Sequence, residues 1–274
     1  MTDVKQSFDS ATLEVLWTRL VSIVDEAAAA LVRTSFSTVV RDSHDFSCVI
    51  TDVTGGSLVQ ATDSIPSFIG TLPRTIRHFL NEYPAETLQP GDVLITNDIW
   101  MGTGHLPDIS VGRPLFHDGR LVGFAGSTAH APDIGGKIRS PEPREVFEEG
   151  FQIPIMKLIR AGEPDETFFR LLRKNVRVPD EVVGDLWAQV TALDLMAERT
   201  ESFMAEYGLA TLEDLAEEIQ SRSERAMRAA IRALPDGVYT NTIRTDGLTE
   251  PLDLKVTLTI RDDEVFADYA GSAD

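Results

Sequence analysis

The spacing of apolar residues predicts a long helix near the start of the chain. Between residues 10 and 34 the apolar positions recur at steps of three and four, which is typical of a helix with one buried face. Asp9 or Ser10 is suited to cap its first turn. The apolar positions are Leu13, Leu16, Trp17, Leu20, Val24, Ala28 and Leu31.

The pattern then changes to the short, alternating runs of β-strands. Two runs, 45–52 and 57–62, flank the sequence VTGG and predict a hairpin. A helix is predicted over 71–83, with Pro73 in its first turn. Further strands are predicted over 91–98, 108–116 and 120–130, and the last two are joined by the turn HDG at 117–119.

The second part of the chain is first helical and then again rich in strands. Helices are predicted over 165–175, 180–208 and 211–234, followed by strands over 238–245, 252–260 and 264–271. This order predicts an α+β fold with mixed or antiparallel sheets, a long N-terminal helix and a central helical block. We expect an α+β domain over 1–160, a helical block over 161–235 and the start of an incomplete β-rich domain over 236–274.

The charge and the cysteine content of the chain argue against some partners and cellular locations. The formal net charge is −19, so nucleic acids and anionic membrane surfaces are poor partners. The single cysteine, Cys48, lies in the apolar run FSCVIT and is expected in the core, and a chain without paired cysteines fits the cytoplasm. There is no signal-peptide pattern and no apolar run long enough for a membrane span.

Residues 96–136 carry the most distinctive chemistry. This stretch holds three of the five histidines and repeats the pattern His-x-Pro-Asp, at His105–Asp108 and at His130–Asp133. In a hairpin that turns at residue 118, position 130 faces position 106. The hairpin therefore brings His105, Asp108 and His130 to the same end.

Two histidines and one carboxylate form a typical ligand set for a divalent metal. Asp98 and Asp133 are nearby, each as a fourth ligand, a partner that orients an imidazole, or a base. The alternative is structural, with each Asp accepting backbone hydrogen bonds in a turn at the strand end. The polar loop 41–47, which contains His44 and Asp45, is interpreted either as part of a cleft or as an ordinary turn.

Two common catalytic signatures are missing from the sequence. It contains no G-x-x-x-x-G-K-[ST] motif, so a P-loop nucleotide site is excluded. It also lacks the G-x-S-x-G motif of a nucleophile elbow.

Several segments resemble the hydantoinase B/oxoprolinase family, whose members include B-type subunits of ATP-dependent hydantoinases and caprolactamase, the C-terminal half of 5-oxoprolinase, and subunits of acetone and acetophenone carboxylases. The segments are RDSHDFSCVITD, SIPSFIGTLP, GDVLITNDIWMGTGHLPDI, PLFHDGRLVGFAGSTAHAPDIGG, EVFEEGFQIPIMKLI and DYAGS. The resemblance implies a metal held by His105, Asp108 and His130, and this donor set suits Zn, Mn and Fe alike. Within this interpretation we expect Asp133 and Asp98 to orient a ligand or to act as base.

The resemblance also implies a partner, an A-type ATPase subunit that uses ATP to phosphorylate the substrate. The implied activity is ATP-dependent hydrolysis of a cyclic amide such as hydantoin, 5-oxoproline or a lactam. The alternatives are a ketone carboxylase subunit, and a non-catalytic assembly protein. B-type chains are about twice as long, so the sequence resembles an N-terminal half, and either a second chain supplies the missing half or this is a fragment.

Overall fold

The computed structural model describes residues 8–137, 142–247 and 250–273. Within these ranges it is an α+β protein with antiparallel sheets and a long N-terminal helix, as the sequence predicts. The helices are α1 (Ser10–Thr34), α2 (Thr38–Arg41), α3 (Pro66–Glu82), α4 (Glu166–Asn175), α5 (Pro179–Tyr207) and α6 (Glu213–Arg232). The strands are β1 (Phe46–Thr51), β2 (Ser57–Gln60), β3 (Val93–Thr96), β4 (Asp108–His117), β5 (Arg120–His130), β6 (Met156–Arg160), β7 (Glu163–Pro164), β8 (Gly237–Thr245), β9 (Leu252–Arg261) and β10 (Glu264–Asp268).

The first seven strands form one antiparallel sheet in the order β2-β1-β5-β4-β3-β6-β7. The long hairpin β4–β5 lies at its centre, and most of its residues are buried. Cys48 lies on the neighbouring strand β1, fully buried, and burial raises the pKa of its thiol to about 12. The thiol is therefore a protonated core group, as the sequence predicts.

Helices α3 and α5 cover opposite faces of the central hairpin. Gly112 on β4 is directly paired with Gly126 on β5. A Cβ on Gly112 would lie 2.7 Å from the side chain of Ile76, so its missing side chain makes room for α3. The next residue, Arg113, points to the other face and makes an ion pair of 2.7 Å with Asp194 of α5. The hairpin is thus the middle layer between two helices.

Helix α1 packs along α5 on the sheet. Asp9 caps its first turn by accepting hydrogen bonds from the backbone N–H groups of Ala11 and Thr12. Its buried residues include Leu16, Leu20 and Leu31, which follow the predicted helical period. None of the helices in the described part of the chain is both long and apolar enough to cross a membrane.

Two features of the fold differ from what the sequence predicts. Helix α3 begins at Pro66 rather than at residue 71, because Pro66 occupies the first helical position, which needs no N–H donor. Pro73 therefore lies inside the helix and not in its first turn. The sequence pattern also does not predict strands β6 and β7, yet β6 pairs with β3, and the two strands are joined by Ala161 and Gly162, which both have positive φ.

The chain divides into two compact units, Met1–Glu217 and Glu218–Asp274. The first contains the seven-stranded sheet. The second contains a separate antiparallel sheet in the order β10-β9-β8. The predicted three-part division at residues 160 and 235 stays a prediction.

Candidate metal centre

The register of the β4–β5 hairpin brings the predicted ligands together. Asp108 is paired directly with His130 at the open end of the hairpin. The turn consists of Asp118 and Gly119, both with positive φ, which is the geometry of a two-residue hairpin turn. Because of this turn and a bulge between Leu115 and Phe116, His130 faces position 108 and not position 106. The convergence that the sequence predicts is therefore obtained in a slightly different register.

The three side chains meet at one carboxylate oxygen. His105 Nε2 and His130 Nδ1 each lie 2.9 Å from Oδ1 of Asp108. The imidazole rings are 5.1 Å apart between centroids, and the three potential ligand atoms lie within 4.8 Å of one another. Thr103 donates its hydroxyl to the other oxygen, Asp108 Oδ2, at 2.5 Å. Both oxygens of the carboxylate are thus oriented.

The donor set fits a divalent cation. Two imidazole nitrogens and one carboxylate oxygen suit zinc, manganese and iron alike. Asp108 is 4% exposed, whereas His105 and His130 are 44% and 22% exposed, so solvent or a ligand reaches the histidines. A site with a buried carboxylate and accessible imidazoles leaves room for a further ligand beside the three side chains.

Electrostatic interactions favour the charged forms of Asp108 and His105. Burial by itself raises the pKa of Asp108, but hydrogen bonds from His105, His130 and Thr103 outweigh it and lower the pKa to about 2. The hydrogen bond with Asp108 raises the pKa of His105, against a smaller opposing effect of burial. The contact with the Asp108 carboxylate therefore favours the protonated form of the His105 imidazole.

The loop that carries His105 is held from two sides. Asn97 follows β3 and is buried, and its amide donates to the carbonyl oxygens of Leu106 and Phe151 at 2.8 and 2.9 Å. The hydroxyl of Thr75 on α3 donates to the carbonyl of Met101 at 2.7 Å. His105 is thus positioned by buried hydrogen bonds to the sheet and to α3.

Two acidic residues near the cluster were not among the predicted site residues. Asp45 Oδ2 lies 3.9 Å from His130 Nδ1, and the backbone N–H of His130 donates to the Asp45 carbonyl. Burial raises the pKa of Asp45, partly offset by His130. Glu149 accepts a hydrogen bond from the N–H of Leu106 at 3.1 Å, next to His105. Neither Asp45 nor Glu149 stands at a spacing from His105 or His130 that is typical of metal ligands. The only signal in the sequence was that Asp45 lies in the polar loop 41–47.

The loop 41–47 lies beside the centre, because Asp45 belongs to it. His44 has a φ of 53°, and its Nδ1 lies 2.5 Å from Oδ2 of Asp63. A histidine with positive φ is uncommon and is held here by the surrounding contacts. The loop therefore forms part of the surroundings of the cluster and not a remote turn.

The structure gives Asp98 and Asp133 other contacts. Asp98 Oδ1 accepts hydrogen bonds from the backbone N–H groups of Trp100 and Met101 at 2.8 and 3.2 Å. Asp133 is buried, and its Oδ1 lies 2.7 Å from the Arg177 guanidinium and accepts from the N–H of Gly135. Its Oδ2 accepts from the backbone N–H of Arg177. Neither residue is in the group of three, and their predicted catalytic role stays a prediction.

Comparisons with known proteins place these residues in a family. The sequence model of the hydantoinase B/oxoprolinase family matches residues 9–274. This chain belongs to the hydantoinase B/oxoprolinase family. His105, Asp108 and His130, called the triad below, all lie within the part of the chain that matches the family.

Three relatives define the similarity more closely. The B-type subunit of a putative D-/L-hydantoinase from Pseudomonas sp. (strain NS671) is 32% identical over 99% of this chain and 48% of its own length. The crystal structure of the ATP-dependent caprolactamase from Pseudomonas jessenii matches with a TM-score of 0.87 and 29% identity, over 96% of this chain and 46% of that chain. A nucleotide-free acetone carboxylase structure shares the fold, with a TM-score of 0.82 and 20% identity over 95% of this chain and 37% of that chain.

This member of the hydantoinase B/oxoprolinase family spans about half the length of the hydantoinase and caprolactamase relatives that it matches. The predicted family and fold class are confirmed.

Proposed function

We propose that the chain is a B-type subunit, or half of one, in an ATP-dependent amidohydrolase that opens a cyclic amide. The observation that carries the proposal is the convergence of His105 and His130 on Asp108, within a domain similar to the B-type hydantoinase subunit and to caprolactamase. His105, Asp108 and His130 would hold a divalent metal.

A divalent metal bound there supplies a Lewis acid for a carbonyl, or lowers the pKa of a bound water. Neighbouring residues of this chain hold the proposed ligands in position. Thr103 fixes Oδ2 of Asp108, and Asn97 fixes the backbone at Leu106, directly after His105. Asp45, 3.9 Å from His130, is a further carboxylate beside the three ligands and is placed to add a ligand or to accept a proton.

The contacts of Asp98 and Asp133 support positioning roles in this proposal. Asp98 orders the turn that leads into the His105 loop, and Asp133 ties the segment after His130 to Arg177. Both residues thereby hold the backbone next to a proposed ligand.

ATP is assigned to a partner. The sequence has no P-loop, and the caprolactamase that it resembles is ATP-dependent. We therefore propose an A-type subunit that activates the cyclic amide with ATP, after which hydrolysis is completed at the triad.

The same proposal includes a polypeptide equivalent to the rest of a B-type subunit, because this chain covers only about half of its relatives. The place of action is proposed to be the cytoplasm.

A carboxylase is a second candidate, because acetone carboxylase shares the fold. At 20% identity that likeness carries no substrate assignment, whereas the hydantoinase relative is 32% identical. Cyclic-amide hydrolysis is therefore the function that we place first.

Metal content tests the triad. Purified protein should contain close to one equivalent of zinc, manganese or iron by elemental analysis, and His130→Ala should lose it. His117→Gln, which removes an imidazole at the other end of the same hairpin, is the matched control and should keep the metal. Full metal content in His130→Ala would refute the proposed ligand set.

Activity tests the reaction. The chain is combined with an A-type subunit, together with the remaining part of a B-type relative, and ATP-dependent ring opening of hydantoin, 5-oxoproline and caprolactam is measured. The proposal expects turnover of at least one ring, abolished by Asp108→Asn. ATP-dependent carboxylation of acetone instead would establish the second candidate, and metal-loaded protein inactive on all four substrates would favour a non-catalytic assembly protein.

A further inference from the structure

The small sheet of the second unit has one apolar and one largely polar face. Opposed residues of β8 and β9 share a face, and Ile243 is paired with Leu254, Tyr239 with Leu258, and Thr240 with Thr257. Every second residue of β9 is aliphatic. One face is mainly apolar and carries Tyr239, Ile243, Leu252, Leu254, Val256, Leu258, Ile260, Val265 and Ala267 together with the polar residues Asn241 and Thr245. The opposite face carries Thr240, Thr242, Arg244, Asp253, Lys255, Thr257, Thr259, Arg261, Glu264 and Asp268 together with Val238 and Phe266.

Within the described residues the apolar face has no covering layer. None of the residues of β8, β9 and β10 is buried, and Ile243 and Leu254 are 56% and 43% exposed. Helix α6 lies beside one edge of the sheet, where Arg228 and Arg232 contact Asp263 and where Met227 and Ile231 line an open space together with Val265 and Phe266. A sheet with one apolar face is stable when that face is packed against another element. Contiguous exposed apolar residues of this kind mark an interaction surface.

The relatives indicate what covers this face. The chain covers 48% of the B-type hydantoinase subunit from strain NS671 and 45% of the caprolactamase β subunit, so more than half of each relative has no counterpart in it. The family match extends through β8, β9 and β10 to residue 274. The sheet is therefore a family element, and in the longer relatives it has additional polypeptide available to cover it.

We infer that the apolar face of β8–β10 is the docking surface for the part of a B-type subunit that has no counterpart in this chain. The partner contributes an apolar layer of its own that packs on Ile243, Leu254 and their neighbours. This inference rests on the second polypeptide of the proposed function, but it concerns assembly and is independent of whether the triad binds metal.

The test uses this chain with a defined partner. From the caprolactamase β subunit of Pseudomonas jessenii, the part without a counterpart here is produced as a separate polypeptide. The corresponding part of the hydantoinase relative from Pseudomonas sp. (strain NS671) is produced in the same way. Each is mixed with the chain, and association is measured by sedimentation velocity. We expect a one-to-one complex with at least one of them, without added metal or ATP.

A pair of variants on one strand tests the face. Ile243→Lys places a charge on the apolar face, and Val238→Lys places the same charge on the opposite face, since residues an odd number apart on a strand point to opposite sides. Ile243→Lys should weaken the complex at least about 30-fold, as for a central interface residue. Val238→Lys should change it less than about threefold. Circular dichroism checks that both variants fold, and Tyr239→Lys replaces Ile243→Lys if that variant unfolds.

Three results would overturn the inference. One is the absence of a complex with either partner polypeptide. Another is a complex that the apolar-face charge leaves unchanged. The third is a dimer of the chain alone that Ile243→Lys converts to a monomer, which would show that a second copy covers the face. Because association needs no catalysis, failure here is distinguishable from failure of the proposed reaction.

Discussion

The β4–β5 hairpin and the β8–β10 sheet are both antiparallel β-structure, but they differ greatly in how many of their residues are buried. At the hairpin, layers on both faces bury most residues, and the polar group at its end, Asp108, has three hydrogen-bonding side chains around it. In the β8–β10 sheet no residue of the described strands is buried. In the first region the polar side chain has hydrogen-bonding partners within the protein, whereas in the second apolar side chains such as Ile243 and Leu254 stay largely exposed.

The largest expected difference between the regions concerns core packing. Phe124 is fully buried on β5 in a cluster with Ile76 and Phe79. Phe124→Ala should lower the free energy of unfolding by about 3–5 kcal/mol, because it leaves a cavity. Ile243→Ala in the free chain should change it by less than about 0.5 kcal/mol. Urea denaturation measures both, and similar losses would show that the β8–β10 face is already packed.

The next effect concerns the charge of Asp108. Its pKa of about 2 lies below the ordinary 3.8, so the ionised carboxylate stabilises the metal-free fold above pH 3.8, and this contribution is lost as the pH falls towards 2. Asp108→Asn should therefore cost about 2 kcal/mol at pH 7 and flatten the acid limb of the stability curve. Denaturation at several pH values checks this, and an unchanged acid limb would contradict the prediction.

A smaller effect is expected for the contact between Arg177 and Asp133. Asp133 is buried, while the side chain of Arg177 is 60% exposed, so much of the charge interaction is screened. Arg177→Gln should cost about 1–2 kcal/mol, because the Asp133 carboxylate loses one of its donors. The control is Arg173→Gln, whose partner Asp180 is at the surface and whose loss should cost less than about 0.5 kcal/mol. Equal costs would show that burial of Asp133 is unimportant.

The last prediction concerns the pH dependence of metal binding. The hydrogen bond to Asp108 raises the pKa of His105 above 6.5, so the proton is favoured below the raised value and competes with a metal. This proton stabilises the metal-free fold at low pH, and that contribution is lost as the pH rises through the raised pKa. Metal affinity should fall about tenfold per pH unit below it. Competition with a chelator between about pH 8 and pH 5 measures this, and a constant affinity would exclude His105 as a ligand.

Sequence patterns predict some parts of this molecule well. The bounds of α1 follow directly from its apolar period and from the cap at Asp9, since both are local. The Asp-Gly turn likewise marks the hairpin that carries the triad. The strands β6 and β7 are not predicted, because they are short and are stabilised by pairing, β6 with β3 and β7 with β6, and carry little signal of their own.

The order of residues along β4 and β5 was sufficient to pair Asp108 with His130 and to bring the His105 loop to the same end, because a hairpin couples positions that are close in sequence. The placement of Asp45 beside His130, the pairing of Asp133 with Arg177 and the exposure of the β8–β10 face depend on packing between distant segments. Such contacts have no fixed spacing in the chain, and burial and hydrogen bonding in the folded protein decide which of them form.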